Sequence, residues 1–369
     1  MGKRMNKTII CFGISILILC VVSMGIPVAE SVETVLSHNQ SLIDYSKYYV
    51  EYHNYISGET YRVNENNESQ IRDKVEQDWT CDNAESGIVT SIARDRLSNI
   101  FDFHLVRSVA SNTYTINALN TISQSPYSGV CQIYAVYKDQ NNVVKNIRRG
   151  SGCFISENAI LTSAHCLKHE TYGMPSAIRV YYCFETTLQG GTPYGNFAFC
   201  SAISSIICST YNSNQDTMYD YAVINVASGA GGDTGVFMLA NMTPTTSMEL
   251  MAIGYPDATS GDGYGANGNT ILSSPNPLKV CVGNLNKIAS DYLRADHSSL
   301  DVEDGMSGGA LTILDSNHNY ELLGITSRTG IVMIFFDYAY FCRVESSVKA
   351  FCAYYGGTNN VSSSLYLAG

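Results

Sequence analysis

Three side chains in this sequence have types and neighbours that suit covalent hydrolysis. Ser307 lies in Asp304-Gly305-Met306-Ser307-Gly308-Gly309-Ala310. Glycines on both sides allow a tight turn that exposes the hydroxyl and lets backbone N–H groups converge on one point. A serine hydroxyl is a weak nucleophile at neutral pH and needs an adjacent base. His165 follows the apolar run Ile160-Leu161-Thr162 and sits among small residues. Imidazole titrates near neutrality and suits that role. Asp220 opens the apolar run Tyr221-Ala222-Val223-Ile224. A carboxylate there could fix the tautomer of His165 and stabilise its charged form. Taken singly, each has a plainer reading: a Gly-rich turn, a structural histidine, an edge charge. Together they form a serine-hydrolase set.

Two other chemistries fit less well. Gly305-Met306-Ser307-Gly308-Gly309 also matches the Gly-x-Ser-x-Gly elbow of α/β-hydrolases, but that fold needs an Asp and then a His after the Ser. Only His318 follows Ser307, and it follows too soon. His38, His53, His104, His169, His297 and His318 are scattered without ligand spacing, so no metal and no cofactor are expected.

The elements that must hold these residues read as strands. From residue 108 onward, short runs rich in Val, Ile, Tyr and Thr recur between Gly, Asn, Ser and Asp clusters. Examples are Val130–Tyr137, Ala159–Thr162, Ala177–Phe184, Ser201–Cys208, Met248–Ile253, Lys279–Val282 and Leu322–Ile325. This spacing predicts an all-β sandwich or barrel. Arg343 to Tyr355 has helical spacing and stops at Gly356-Gly357. Residues 30–107 are polar and acidic, with helical spacing at Ile71–Glu76 and Ser86–Phe103 and no chemical cluster.

Composition narrows the class. The chain has 369 residues, 45% of them hydrophobic, enough for a sizeable core. The net charge of −11 and the lack of a basic patch argue against nucleic-acid binding. Lys3, Arg4 and Lys7 precede an apolar run from Thr8 to Met24, then Gly25-Ile26-Pro27-Val28-Ala29. That is the pattern of a secretory signal peptide over residues 1–29, and no later run is long enough for a stable membrane anchor. Export is therefore expected, with a soluble, secreted, extracellular product. Two of the twelve cysteines, Cys11 and Cys20, lie in that leader; the even remainder suggests disulfides. Cys153 and Cys166 flank a hairpin and are the expected pair.

The motifs around His165 and Ser307 resemble those of trypsin-like, chymotrypsin-fold serine proteases. Leu161-Thr162-Ser163-Ala164-His165-Cys166 is similar to Thr-Ala-Ala-His-Cys, and Gly305-Met306-Ser307-Gly308-Gly309 to Gly-Asp-Ser-Gly-Gly with Met for Asp. The order His, Asp, Ser also agrees. The resemblance is closest to the glutamyl endopeptidase branch and covers about Tyr127 to Cys352. It implies two antiparallel six-stranded β-barrels, about 108–230 and 236–342, with a C-terminal helix over 343–355. It implies cleavage after Arg107, so that 30–107 is a propeptide and 108–369 a monomeric enzyme made as a zymogen. Met306 cannot pair with a new N-terminus as the family's acid does. Ser307 would be the nucleophile, His165 the base and Asp220 its orienting acid. The N–H groups of Gly305 and Ser307 would form an oxyanion hole. Asp301, Val302, Thr326, Ser327 and Arg328 would line the substrate pocket, with Ser327 near Asp220. Asp301, Glu303 and Asp304 favour a basic side chain, Arg328 an acidic one. The implied activity is endopeptidase action on proteins or peptides through an acyl-enzyme. The alternative is a catalytically inactive exported binding protein of the same fold.

Overall fold

Short apolar runs drive this chain into strands, some buried on both faces, such as Ala159–Thr162 and Tyr221–Val226, and others on one, such as Tyr292–Asp296. The structure, a computed structural model, describes residues 45, 49–81, 86–89, 113–116, 125–189, 192–208, 219–226, 230–256, 278–314, 319–331 and 337–358. All lie in one unit running from Ile43 to Gly369. Before the first barrel come β1 (Val50–Asn54), β2 (Thr60–Val63), helix α1 (Glu68–Asp78), β3 (Ser86–Val89) and β4 (Thr113–Ile116). The first barrel is β5 (Val130–Lys138), β6 (Val144–Ser156), β7 (Ala159–Thr162), β8 (Ala177–Gln189), β9 (Thr192–Cys208) and β10 (Tyr221–Val226). A one-turn helix, α2 (Ala164–Leu167), follows β7. The pairs β5–β6, β6–β7, β7–β10, β10–β9, β9–β8 and β8–β5 are all antiparallel and close the ring.

The second half begins with helix α3 (Ala230–Thr234) and β11 (Met238–Leu239). Then come β12 (Glu249–Gly254), β13 (Leu278–Asn284), β14 (Lys287–Ile288), β15 (Tyr292–Asp296), β16 (Ala310–Leu314), β17 (Tyr320–Ile331) and β18 (Asp337–Arg343). Their order is β14-β15-β18-β17-β16-β12-β13-β4, a half-barrel that stays open among the described residues. Helix α4 (Ser346–Gly356) follows, capped by left-handed Gly357. This is the expected chymotrypsin-like architecture, with the second sheet open rather than closed. The helical spacing at Ile71–Glu76 falls within α1. Ser86–Val89 is instead a strand paired with Phe197–Cys200 of β9; residues 90–103 lie outside the described residues.

Three apolar layers follow from the period of two along each strand. Ile133, Phe154, Ile160, Ile207, Ala222 and Ile224 fill the first barrel. Leu293, Leu300, Val302, Met306, Leu311 and Phe341 fill the half-barrel. A third layer lies outside the first barrel and includes Leu161, Ile206, Tyr221, Val223, Ile325, Phe351 and Tyr355. β10 is buried along its whole length because its odd and even residues serve two different layers.

The segment before the barrel belongs to that third layer. β1 lies antiparallel on β9, from Val50 opposite Cys208 to Asn54 opposite Ser204. Val50, Tyr52, Val63, Ile71 and Val75 are each at most 2% exposed. At about 1.5–3 kcal/mol per fully buried side chain, their gross burial is on the order of 10 kcal/mol, before chain ordering offsets much of it. Helix α4 packs on the same layer: the Phe351 ring meets Tyr221 edge-on at 5.0 Å and Tyr355 at 5.1 Å. Phe351→Ala should therefore lower stability by about 3–5 kcal/mol, read as a lower urea midpoint at unchanged slope. A change below about 1 kcal/mol would show that α4 does not brace β10.

Candidate active site

The antiparallel pairing of β7 and β10 places Ala222 opposite Thr162. The residue two before Ala222 and the first turn after Thr162 therefore meet at one end of the ladder. There, the backbone N–H of His165 donates to Asp220 Oδ1 at 3.0 Å, and His165 Nδ1 lies 2.8 Å from Asp220 Oδ2. Ser327, on β17 of the other half, donates its hydroxyl to Asp220 Oδ2 at 2.5 Å. Asp220 is 1% exposed. Burial raises its proton affinity, but His165 and the Ser327 hydroxyl outweigh this and hold the carboxyl below its usual range. Burial likewise disfavours charged His165, yet the Asp220 carboxylate holds it well above the ordinary histidine value.

Ser307 comes from the turn before β16. Gly305 and Gly308 have φ of +88° and +83°, a region that favours glycine. A side chain at 308 would put its Cβ 2.2 Å from Ser151 O, so the turn can lie against the first barrel only with glycine there. Ser151 stitches the halves together: its N–H donates to Ser307 O (2.7 Å) and its hydroxyl to Gly305 O (3.0 Å). Ser163 adds a bond to Thr326 O at 2.6 Å. The N–H groups of Met306, Gly308 and Gly309 are used internally, by Glu303 O, Thr326 O and Met306 O. Among the described residues, no backbone acceptor takes the N–H of Gly305 or Ser307.

Ser307 Oγ points to Ser327 O at 3.5 Å, while His165 Nε2 lies 3.9 Å from Cys166 Sγ. A cleft of about 400 Å³ opens over these groups, lined among others by Arg148, Arg149, His165, Cys166, Asp304 and Ser307.

The five expected pocket residues separate. Val302, Thr326 and Ser327 are at most 2% exposed. Arg328 lays its guanidinium over the Tyr340 ring at 4.9 Å. Asp301 is paired: Lys279 Nζ reaches its Oδ2 at 2.9 Å and also holds Glu303, while His297 Nδ1 lies 3.2 Å from Oδ1. Burial works against the charge on Lys279, and these two carboxylates outweigh it. Sequence reading missed Lys279, since its partners lie across a loop on another segment. Its only signal was a lysine inside an apolar strand.

The expected Cys153–Cys166 disulfide is not present; both thiols are unbridged. Strand alternation is the reason. Cys153 belongs to the layer outside the first barrel and Cys166 to the layer inside it. The residue facing Cys166 is Gly150, three positions earlier on β6 and so on the opposite face from Cys153. A Cβ on Gly150 would stand 3.2 Å from the Cys166 Cβ, near the roughly 3.5–4.5 Å of bridged pairs. Gly150→Cys should therefore form the bridge that Cys153 does not. Peptide mapping without reductant should find position 150 joined to Cys166; free alkylation of both thiols would contradict the register.

Among the described residues, no group of three or more His, Cys, Asp or Glu could hold a metal ion, and no helix is long and apolar enough to cross a membrane. Similar solved structures include a Glu endopeptidase in complex with MPD, 17% identical over 67% of this chain and 97% of that one, TM-score 0.45. HL collagenase is 18% identical over 62% and 94%, TM-score 0.42. A thermostable serine protease AL20 from an extremophilic microorganism is 12% identical over 63% and 97%, TM-score 0.38. No curated protein matches the chain. The family model described as Trypsin matches residues 133–333. That match spans more than half of the sequence, and the protein therefore belongs to the trypsin-like serine protease family.

Proposed function

We propose that the protein is a secreted serine endopeptidase working through Ser307, His165 and Asp220. The observation that carries this reading is the buried Asp220 carboxylate, bonded to His165 from one half and to Ser327 from the other. A buried charge of that kind is expensive unless paired, and the pairing here fixes an imidazole in the cleft that the half-buried Ser307 also lines. On substrate binding, His165 Nε2 takes the Ser307 proton as Oγ attacks the scissile carbonyl. The resulting oxyanion is received by the N–H groups of Gly305 and Ser307. The C–N bond breaks as His165 returns the proton to the leaving amine, leaving an ester on Ser307. Water, deprotonated by His165, then hydrolyses that ester and restores the serine.

Residues 1–29 serve as the export leader, and cleavage after Arg107 converts the zymogen. Asp301 is already matched by Lys279, which favours a preference other than trypsin-like Arg or Lys. A non-catalytic binding protein of this fold is the alternative, and activity separates the two readings.

The test is cleavage of a diverse peptide mixture by protein cut after Arg107. Ser307→Ala should abolish cleavage while the far-UV spectrum stays unchanged. Asp220→Asn should lower kcat by about 10⁴-fold. Cleavage by Ser307→Ala equal to the parent would remove Ser307 from the mechanism; no cleavage by the parent would favour the binding protein.

The base must be neutral to accept a proton. Activity should therefore fall as pH drops through the raised His165 pKa, with a midpoint in kcat/KM above the ordinary value of 6.5. A midpoint below 6.5 would mean that Asp220 does not stabilise the imidazolium.

A further inference from the structure

We propose that residues 49–81 are a permanent part of the catalytic unit, staying on the first barrel as a bound second chain after the cut at Arg107. The inference uses the processing site proposed above only for where the chain opens. The docking it describes does not depend on the protein being an active protease.

The contact is built like a domain interior, not like a removable plug. β1 adds a strand to β9, alongside the stretch that also pairs with β10. Asp220 stands immediately before β10, so β1 braces the ladder that presents the catalytic acid. Val50, Tyr52, Ile71 and Val75 share one apolar layer with Cys208, Tyr221, Val223 and Phe351. Polar groups are matched as well. Tyr52 Oη donates to Asp78 Oδ2 at 2.9 Å and Asn54 Nδ2 to Asp78 Oδ1 at 3.0 Å, which closes α1 onto β1. The Tyr55 N–H bonds Ile203 O at 2.8 Å, and its hydroxyl meets Ser205 Oγ at 2.7 Å.

Trp79 locks the far end. Its Nε1 donates to Asn225 Oδ1 on β10 at 2.9 Å. The indole lies so close over Gly357 that a Cβ there would sit 2.7 Å from it. The near end reaches the cleft: Lys168, which lines it beside His165 and Ser307, stands over the Tyr49 ring at 4.7 Å and 3.7 Å from Glu51 Oε2. Removing the segment would expose one face of β9 and β10 and release a cation at the rim of the site. A segment meant to be discarded would leave the enzyme's own core intact, and this one does not.

Trp79 is the chain's one tryptophan, so its emission reports the docking directly. The experiment uses the full-length Ser307→Ala protein with a recognition site for a selective protease inserted between Arg107 and Ser108. After complete cutting, the two chains should co-elute in equal amounts on native size exclusion, with Trp79 emission unchanged. They should separate, with emission shifted to the red, only in guanidinium. Native separation, or a red shift on cutting alone, would overturn the inference. Val50→Asp in the same cut protein should release the smaller chain. If the two chains still co-elute as before, β1 is not what holds them and the inference falls. The same cut made in the protein with Ser307 intact keeps the two readings apart. Chains that stay together without hydrolysing peptides would overturn the protease reading and leave this one standing. Full hydrolysis by the larger chain after the smaller has been lost would overturn this one alone.

Discussion

A carboxylate held inside the wall of a β-barrel is the constraint on which the rest of this structure turns. Asp220 is almost fully buried. Left unpaired, it would protonate or destabilise the fold by several kcal/mol. Its donors come from both halves: backbone and ring of His165 from the turn after β7, and the Ser327 hydroxyl from β17. Satisfying one charge therefore fixes how the barrel and the half-barrel meet. The bonds from Ser151 and Ser163 across the same seam serve that alignment and deliver Ser307 to it.

The layers explain why this alignment is rigid. β10 has no solvent face: one set of its side chains fills the first barrel, the other packs against α4 and the chain before the barrel. A strand clamped on both sides cannot slip its register, because a one-residue slip would exchange the two sets. The acid at its start inherits that precision. Near the pocket the same logic of paired charge recurs at Lys279, Asp301 and Glu303, where a mostly buried amine holds two carboxylates that would otherwise dominate the local field.

Much of this was legible in the residues. His165, Asp220 and Ser307 stood out as candidates because nucleophile, base and acid demand particular residue types in particular settings; the structure sets His165 on Asp220 and puts Ser307 in the cleft that His165 lines. The strands were legible from their period and composition, and Ser327 from its place in a motif. What failed did so for physical reasons. Cys153 looked like the partner of Cys166 because the hairpin brings their strands together. Which face a strand residue takes, however, depends on register, and an odd offset from Gly150 puts Cys153 on the wrong one. Lys279 gave little signal, since its meaning depends on Asp301 and Glu303 two dozen residues away. Residues 30–107 read as polar and acidic, a propeptide with no chemical cluster. Val50 and Tyr52 at a strand spacing, with Ile71 and Val75 at a helical one, supply too few apolar positions to announce a core until β9 supplies the other half.

The proposed function stands on activation of Ser307 by His165 and Asp220. The most direct measurement is reaction with a fluorophosphonate, followed by mass spectrometry to locate the adduct. One adduct is expected, on Ser307, formed more slowly in acid as His165 becomes protonated and nearly lost in His165→Ala. An adduct on another residue, or labelling of Ser307 at the same rate without His165, would contradict it.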